Sequence, residues 1–188
     1  ITSLAFVSFT ANNTNYFTVT TSGYPAPTLT IDVTLPTGVT FSDNGNGTAS
    51  LTSVPTLGLG GRYTFTITAT NVNGYDTQFF TLTIYEPPII TSADNTSFTA
   101  GQLGSFTVTT VGYPIPAIPT PVSLPIWLTL EDQGDGTGIL SGTPATGTEG
   151  VYEFLITANN SVGSDAQGFT LTVEKPSGFT IFLPLILK

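Results

Sequence analysis

Carboxylates and asparagines are the side chains on which chemistry could be built here, because the 188-residue chain has no histidine and no cysteine. That inventory removes Ser-His-Asp and Cys-His catalysis, thiolate metal sites and disulfides together. Two clusters remain, Asp43, Asn44 and Asn46 in "DNGNGT" and Glu131, Asp132 and Asp135 in "EDQGDGT". Hard oxygens in a tight loop are what calcium takes, which makes Asp43, Asn46, Asp132 and Asp135 the weak metal candidates. Neither loop has a closing glutamate at calcium-loop spacing, and Asn-Gly or Asp-Gly pairs are also what a hairpin turn requires. The expectation is therefore no metal and no cofactor. Glu86 and Asp94 flank a Pro-Pro stretch and form a second weak pair for an ion. A glycosidase needs two carboxyl groups facing across a cleft. Asp132 and Asp135 share one turn and Glu149 and Glu153 one strand start, so no catalytic residue is assigned and no enzyme is expected.

Aromatic faces give a different chemistry, stacking on sugar rings. Trp127, Tyr24 and Tyr113 are the candidates, yet Trp127 has no aromatic neighbour in the sequence and Tyr-Pro pairs suit turns, so packing is the preferred account. An internal isopeptide bond would need a buried lysine, whereas Lys175 lies at the exit of the last strand and Lys188 is the final residue.

The elements that must position these groups are β-strands. Threonine occurs 37 times, charged residues make up only 8%, and 39% of the chain is hydrophobic, enough to bury real cores. A net charge of −9 repels phosphate backbones and anionic lipid, which argues against nucleic acid as a partner. No apolar run reaches the roughly 20 residues of a spanning helix. No signal-peptide pattern opens the chain, and the absence of methionine suggests a mature or excised fragment. Composition suggests a secreted or surface location, with sequons at Asn12, Asn46, Asn95 and Asn159 as glycosylation candidates.

A shift of 89 residues aligns the chain with itself without a gap. Gly23-Tyr24-Pro25 falls on Gly112-Tyr113-Pro114, the "DNGNGT" turn on "DQGDGT", and Tyr63 to Ala69 on Tyr152 to Ala158. Each copy reads as about seven short strands, among them "YFTVTT", "TLTIDVT", "GVTF", "TASL", "YTFTITAT" and "FFTLTI", with threonine alternating against aliphatic or aromatic residues. The fold class expected is all-β, two tandem β-sandwich modules over 1–87 and 88–176, followed by an apolar strand or tail at 177–188.

The linked blocks "GYP.P", "LP.G.TF.DNGDGT", "LSGTP" and "G.Y.F.ITA.N...FTLTV" resemble bacterial immunoglobulin-like repeats of secreted surface proteins, over residues 1 to about 175. The resemblance implies a sandwich used for spacing, adhesion or assembly, and it names no catalytic residue. Tyr63 and Tyr152 resemble the tyrosine-corner position, with Phe17 or Val19 and Phe106 or Val108 in place of the opposing antibody cysteine. Departures are "SLTSVP" in copy one and Trp127 where copy one has Gly38.

The tail "FTIFLPLILK" carries Phe179, Ile181, Phe182, Leu183, Leu185, Ile186 and Leu187, greasy on both faces when extended. It begins where a third copy's first strand would start. The expected receiver is copy one, where Leu4, Phe6 and Val7 stand against the largely polar Ala93, Asn95 and Thr96 of copy two. Copy one's "TLTIDVT" also lacks proline, whereas Pro114, Pro116, Pro119 and Pro121 run through the matching stretch of copy two and discourage pairing there. Addition of the tail to the next subunit would give a head-to-tail homopolymer, a filament, sheath or surface layer. Pro184 confines the added strand to an edge. Three alternatives stay open: a tail folded back on its own copy, a sorting tail, and carbohydrate- or ligand-binding spacer modules of an adhesin or secreted enzyme.

Overall fold

The computed structural model describes residues 1–176 and contains thirteen strands. The first six are β1 (Phe6–Thr10), β2 (Asn15–Thr20), β3 (Thr28–Ile31), β4 (Val39–Asp43), β5 (Thr48–Ser53) and β6 (Gly61–Asn71). The long β7 (Gly74–Ile90) continues through Glu86-Pro87-Pro88 without a break. The second copy supplies β8 (Asn95–Thr99), β9 (Gly104–Tyr113), β10 (Leu128–Asp132), β11 (Thr137–Gly142), β12 (Gly150–Asn159) and β13 (Ser164–Glu174). The chain forms two compact units. Of the described residues, unit 1 comprises 1–89 with 110–117 and 158–165, and unit 2 comprises 90–109, 118–157 and 166–176.

Unit 1 is a sandwich. One layer orders β3-β6-β7 antiparallel, with β1 added parallel to β7, and the other orders β2-β5-β4. Alternation builds it: Phe65, Ile67 and Ala69 of β6 turn inward while Thr64, Thr66 and Thr68 turn outward. Phe80, Leu82 and Ile84 of β7 meet them, with Val19, Leu29 and Leu51 closing the core. Phe80 lies 5.4 Å from the ring of Phe17 and 5.3 Å from that of Phe65.

Unit 2 repeats the plan in register. Its layers are β10-β11-β9 and β12-β13-β8, with β8 parallel to β13. Phe169 takes the place of Phe80, 5.1 Å from Phe106 and 5.4 Å from Phe154. Val108, Leu140, Ile156 and Leu171 fill the positions of Val19, Leu51, Ile67 and Leu82. Tyr63 donates its hydroxyl to the carbonyl of Leu59 at 2.8 Å, and Tyr152 donates to Thr148 at 2.7 Å, each four residues upstream as a tyrosine corner does.

The stretch matching β3 departs from this symmetry. Four residues of β3 pair with β6, from Thr28↔Thr70 to Ile31↔Ile67, while copy two keeps a single bridge, Ala117↔Asn159. Proline has no amide hydrogen to donate, and Pro119 and Pro121 stand where copy one has Thr30 and Asp32. Ile118 is still fully buried in the place of Leu29. Its N–H is accepted at 3.1 Å by Asp132 Oδ2 instead of by a strand.

Candidate functional site

The oxygen-rich loops are folded by their own side chains. Asp43 Oδ1 accepts the N–H of Gly45 at 3.1 Å and Asn46 Oδ1 that of Thr48 at 3.1 Å. Asp132 Oδ1 accepts from Gly134 at 3.0 Å and Asp135 Oδ1 from Thr137 at 3.0 Å. Gly45 and Gly47 take φ of 75° and 79°, the left-handed region in which a Cβ is strained, so the Asx-Gly pairs are required by the turn. Asp135 is held below the ordinary carboxyl value, first by the Thr137 hydroxyl and then by the Thr137 N–H. Asp132 has both oxygens engaged, through Gly134 and Ile118. Among the described residues no three acidic, histidine or cysteine side chains gather.

Glu86, paired with Asp94 for an ion by the sequence, is 1% exposed. Its carboxylate accepts the N–H of Gly58 through Oε1 and that of Gly60 through Oε2, the latter at 2.8 Å. A carboxylate on two backbone donors is a strong, charge-assisted arrangement. The Tyr63 phenol is pushed above its ordinary value, chiefly by burial and secondarily by the Glu86 charge. Trp127 packs edge-on against Tyr152, with centroids 5.5 Å apart at 87°. Tyr24 is almost fully exposed, and Tyr113 lies 6.3 Å from the ring of Tyr85. Asn12, Asn46, Asn95 and Asn159 are all at the surface.

The receiver residues divide by face. Val7 turns inward and packs against the core of unit 1. Leu4 and Phe6 turn outward, 62% and 58% exposed. Phe6 stands beside Thr81 in the β1/β7 register, and two residues before Thr81 on the same face is Phe79, 66% exposed. Phe6 and Phe79 thus share the outer face of one sheet, with the exposed Leu4 just before the edge strand β1, which among the described residues pairs with β7 alone. Phe79 escapes the sequence, because only the register decides which of Phe79 and Phe80 faces the core. A signal was nevertheless present, since the matching residues in copy two are Ala93, Asn95 and Gly168. The strand β3 is the opposite edge of that sheet, with β7 and β6 between, so the two receiving features foreseen in copy one are separate edges. Phe179 to Leu187 lie outside the described residues.

Residues 87–174 match the family model described as "Putative Ig domain". The fold of the chain is immunoglobulin-like, and the family match lies in its second copy. Solved titin structures share this Ig-like arrangement. Titin-A168169 superposes with a TM-score of 0.63 at 15% identity, over 89% of this chain and 93% of that one. The titin Ig tandem domains A164-A165 give 0.56 at 15% identity, over 91% and 93%. The endo-fucoidan hydrolase MfFcnA4 from glycoside hydrolase family 107 gives 0.47 at 20%, over 94% of this chain, which spans 29% of that enzyme. At these identities the titin likeness is one of fold. No curated protein matches the sequence.

Proposed function

We propose that this chain is an extracellular structural protein, a subunit of a filament, sheath or surface layer, with no enzymatic activity of its own. Its two Ig-like domains provide length, and its C-terminal segment provides linkage by adding as an edge strand to the first domain of the next copy. The observation that carries this reading is the exposed trio Leu4, Phe6 and Phe79, whose counterparts in an otherwise equivalent sandwich are Ala93, Asn95 and Gly168. The second domain folds without those side chains, so the sandwich has no need of them. Large apolar groups left in water beside an unpaired strand edge favour a covering chain.

The tail suits that edge by its chemistry. Extended, it offers Phe179, Ile181, Leu183, Leu185 and Leu187 along one face, and Pro184 can turn its missing donor away from the ladder at an edge. The partner is a second copy of the chain, and a head-to-tail contact of this kind propagates without closing. Removing residues 179–188 tests it. Sedimentation velocity is expected to show large species for the whole chain and a monomer for the truncated one. Identical distributions for the two would refute the proposal.

A further inference from the structure

We infer that Asn12 carries an N-linked glycan whose first sugar ring seats in a cavity beside Tyr16, which rests on the extracellular location proposed above and not on head-to-tail linkage. The four sequons are not equivalent in the fold. The Asn46 amide oxygen accepts the N–H of Thr48 at 3.1 Å and the Thr48 hydroxyl at 2.7 Å, so that turn already spends the hydroxyl that defines its sequon. Asn95 lies in β8 and donates through Nδ2 to Asp94 Oδ1 at 2.7 Å. Asn159 lies in β12, with its N–H on the carbonyl of Ala117 at 2.9 Å. Asn12, Asn13 and Thr14 instead form the loop between β1 and β2. Among the described residues neither the Asn12 side chain nor the Thr14 hydroxyl has a hydrogen-bond partner.

Backbone conformation points to the same residue. Asn12 takes a φ of 60° and is the one described residue other than glycine with a positive value. Copy two places Gly101 there at 78°, the residue for which the left-handed region carries no steric cost. Copy one thus keeps a side chain where the fold favours none, and that side chain completes a sequon with Thr14, where copy two has Leu103.

A seat for the sugar lies within reach. The Asn12 N–H is accepted by the carbonyl of Pro55 at 2.8 Å, which sets the loop beside a cavity of about 340 Å³ lined by Thr14, Tyr16, Gly38, Thr52 and Val54. Asn12 therefore has the rim on both sides, through Thr14 along the chain and through Pro55 next to Val54. No charged side chain lines the cavity, and its size suits a small neutral ligand. Tyr16 is 64% exposed and is hydrogen-bonded through its hydroxyl to Ser50 Oγ at 3.4 Å, so the ring is tied at its far end and open on its face. An aromatic face packs on the C–H side of a sugar ring, and the Thr14 and Thr52 hydroxyls can donate to or accept from the sugar's own. Copy two has Ser105 in place of Tyr16 and Trp127 in place of Gly38. Sequon, ring and cavity occur together in copy one.

The co-reactant is a sugar carried on a polyprenyl phosphate or pyrophosphate. Asn12 Nδ2 attacks C1 of that sugar and forms the N–C1 bond as the C1–O bond to phosphate breaks. The lipid phosphate leaves with the bonding pair, and the proton lost from Nδ2 passes to a base of the transferase.

Glycopeptide mass spectrometry of the protein isolated from the cells that make it is expected to find the peptide bearing Asn12 modified in most molecules. The variant N12G, made in the same cells, carries copy two's residue and is expected to fold and to lose that modification. Y16S, again copy two's residue, keeps the glycan but loses the upfield shift that the Tyr16 ring imposes on the first sugar's protons in the NMR spectrum of the parent. A glycan on Asn46, Asn95 or Asn159 with Asn12 bare would overturn the assignment while leaving the extracellular location standing, and a chain with no glycan anywhere would also overturn it. Sugar protons with the same shifts in the parent and Y16S would overturn the seat. Head-to-tail linkage is scored separately by the tail deletion.

Discussion

Copy one and copy two are the same sandwich with different surfaces, and the differences separate what the fold requires from what it does not. The three-ring centre recurs as Phe17, Phe65 and Phe80 and as Phe106, Phe154 and Phe169. The tyrosine corner recurs as Tyr63 and Tyr152. Three features do not recur: the apolar outer face, the four-residue pairing of β3, and the Glu86 carboxylate. Where copy one has Gly60 and Glu86, copy two has Glu149 and Lys175. The Glu149 carboxyl is held down by its own N–H and that of Gly147, so the loop supplies its own anion there. The lesson is that one backbone plan tolerates two ways of satisfying the same donors, whereas its packed centre is kept.

Substitutions can break this division, beginning with the largest effects. Phe80→Ala and Phe169→Ala each remove a fully buried ring and are expected to cost about 3–5 kcal/mol, equally in both copies, as read by denaturant unfolding. A cost confined to one copy would contradict the shared centre. Glu86→Ala leaves the Gly58 and Gly60 donors unpaired and is expected to cost about 2–3 kcal/mol, while Lys175→Ala costs nothing measurable. Hydrogen exchange at Gly58 and Gly60 should rise with the first and be unmoved by the second.

Smaller effects sharpen the same contrast. Tyr63→Phe and Tyr152→Phe each lose one hydrogen bond, about 1 kcal/mol. The raised Tyr63 value adds an alkaline signature. Its contribution is fully present below the unfolded phenol pKa and is lost as pH rises through the folded one, so Tyr63→Phe should flatten the fall in melting temperature at high pH. Acid works the other way on carboxyls that each copy holds alone. Asp32 lies below its ordinary value, chiefly through the Thr66 N–H, and Asp135 through the Thr137 hydroxyl. Their stabilisation is present above the unfolded pKa and disappears as pH falls through the folded one, so melting temperature should drop below about pH 4. Asp135→Asn should reduce that drop slightly.

Much of the fold was legible because two independent signals agreed. Period-two alternation of threonine with apolar residues gave the strands, and the 89-residue repeat gave every strand but β3 a second witness. Even the shortened pairing opposite β3 could be read, since Pro119 and Pro121 cannot donate. What could not be read were contacts across distance. Glu86 was matched with Asp94 as a weak pair for an ion because its partners, Gly58 and Gly60, are backbone donors that no side-chain pattern announces. Phe79 was hidden for a related reason, as adjacent phenylalanines must face opposite ways and only the pairing says which. Asp132 and Asp135 stood only as weak ligand candidates beside the turn reading, because a carboxylate that folds its own turn has the same sequence as one that holds an ion.

The central claim is that the outer face of copy one exists to be covered by another molecule. Grafting copy two's residues onto it, as L4A, F6N and F79G together, tests this most directly, because the second domain already folds with them. Sedimentation velocity of the graft beside the parent, with melting temperature as the check on folding, should show a stable chain that no longer assembles. A graft that melts like the parent and still forms the same large species would contradict the account.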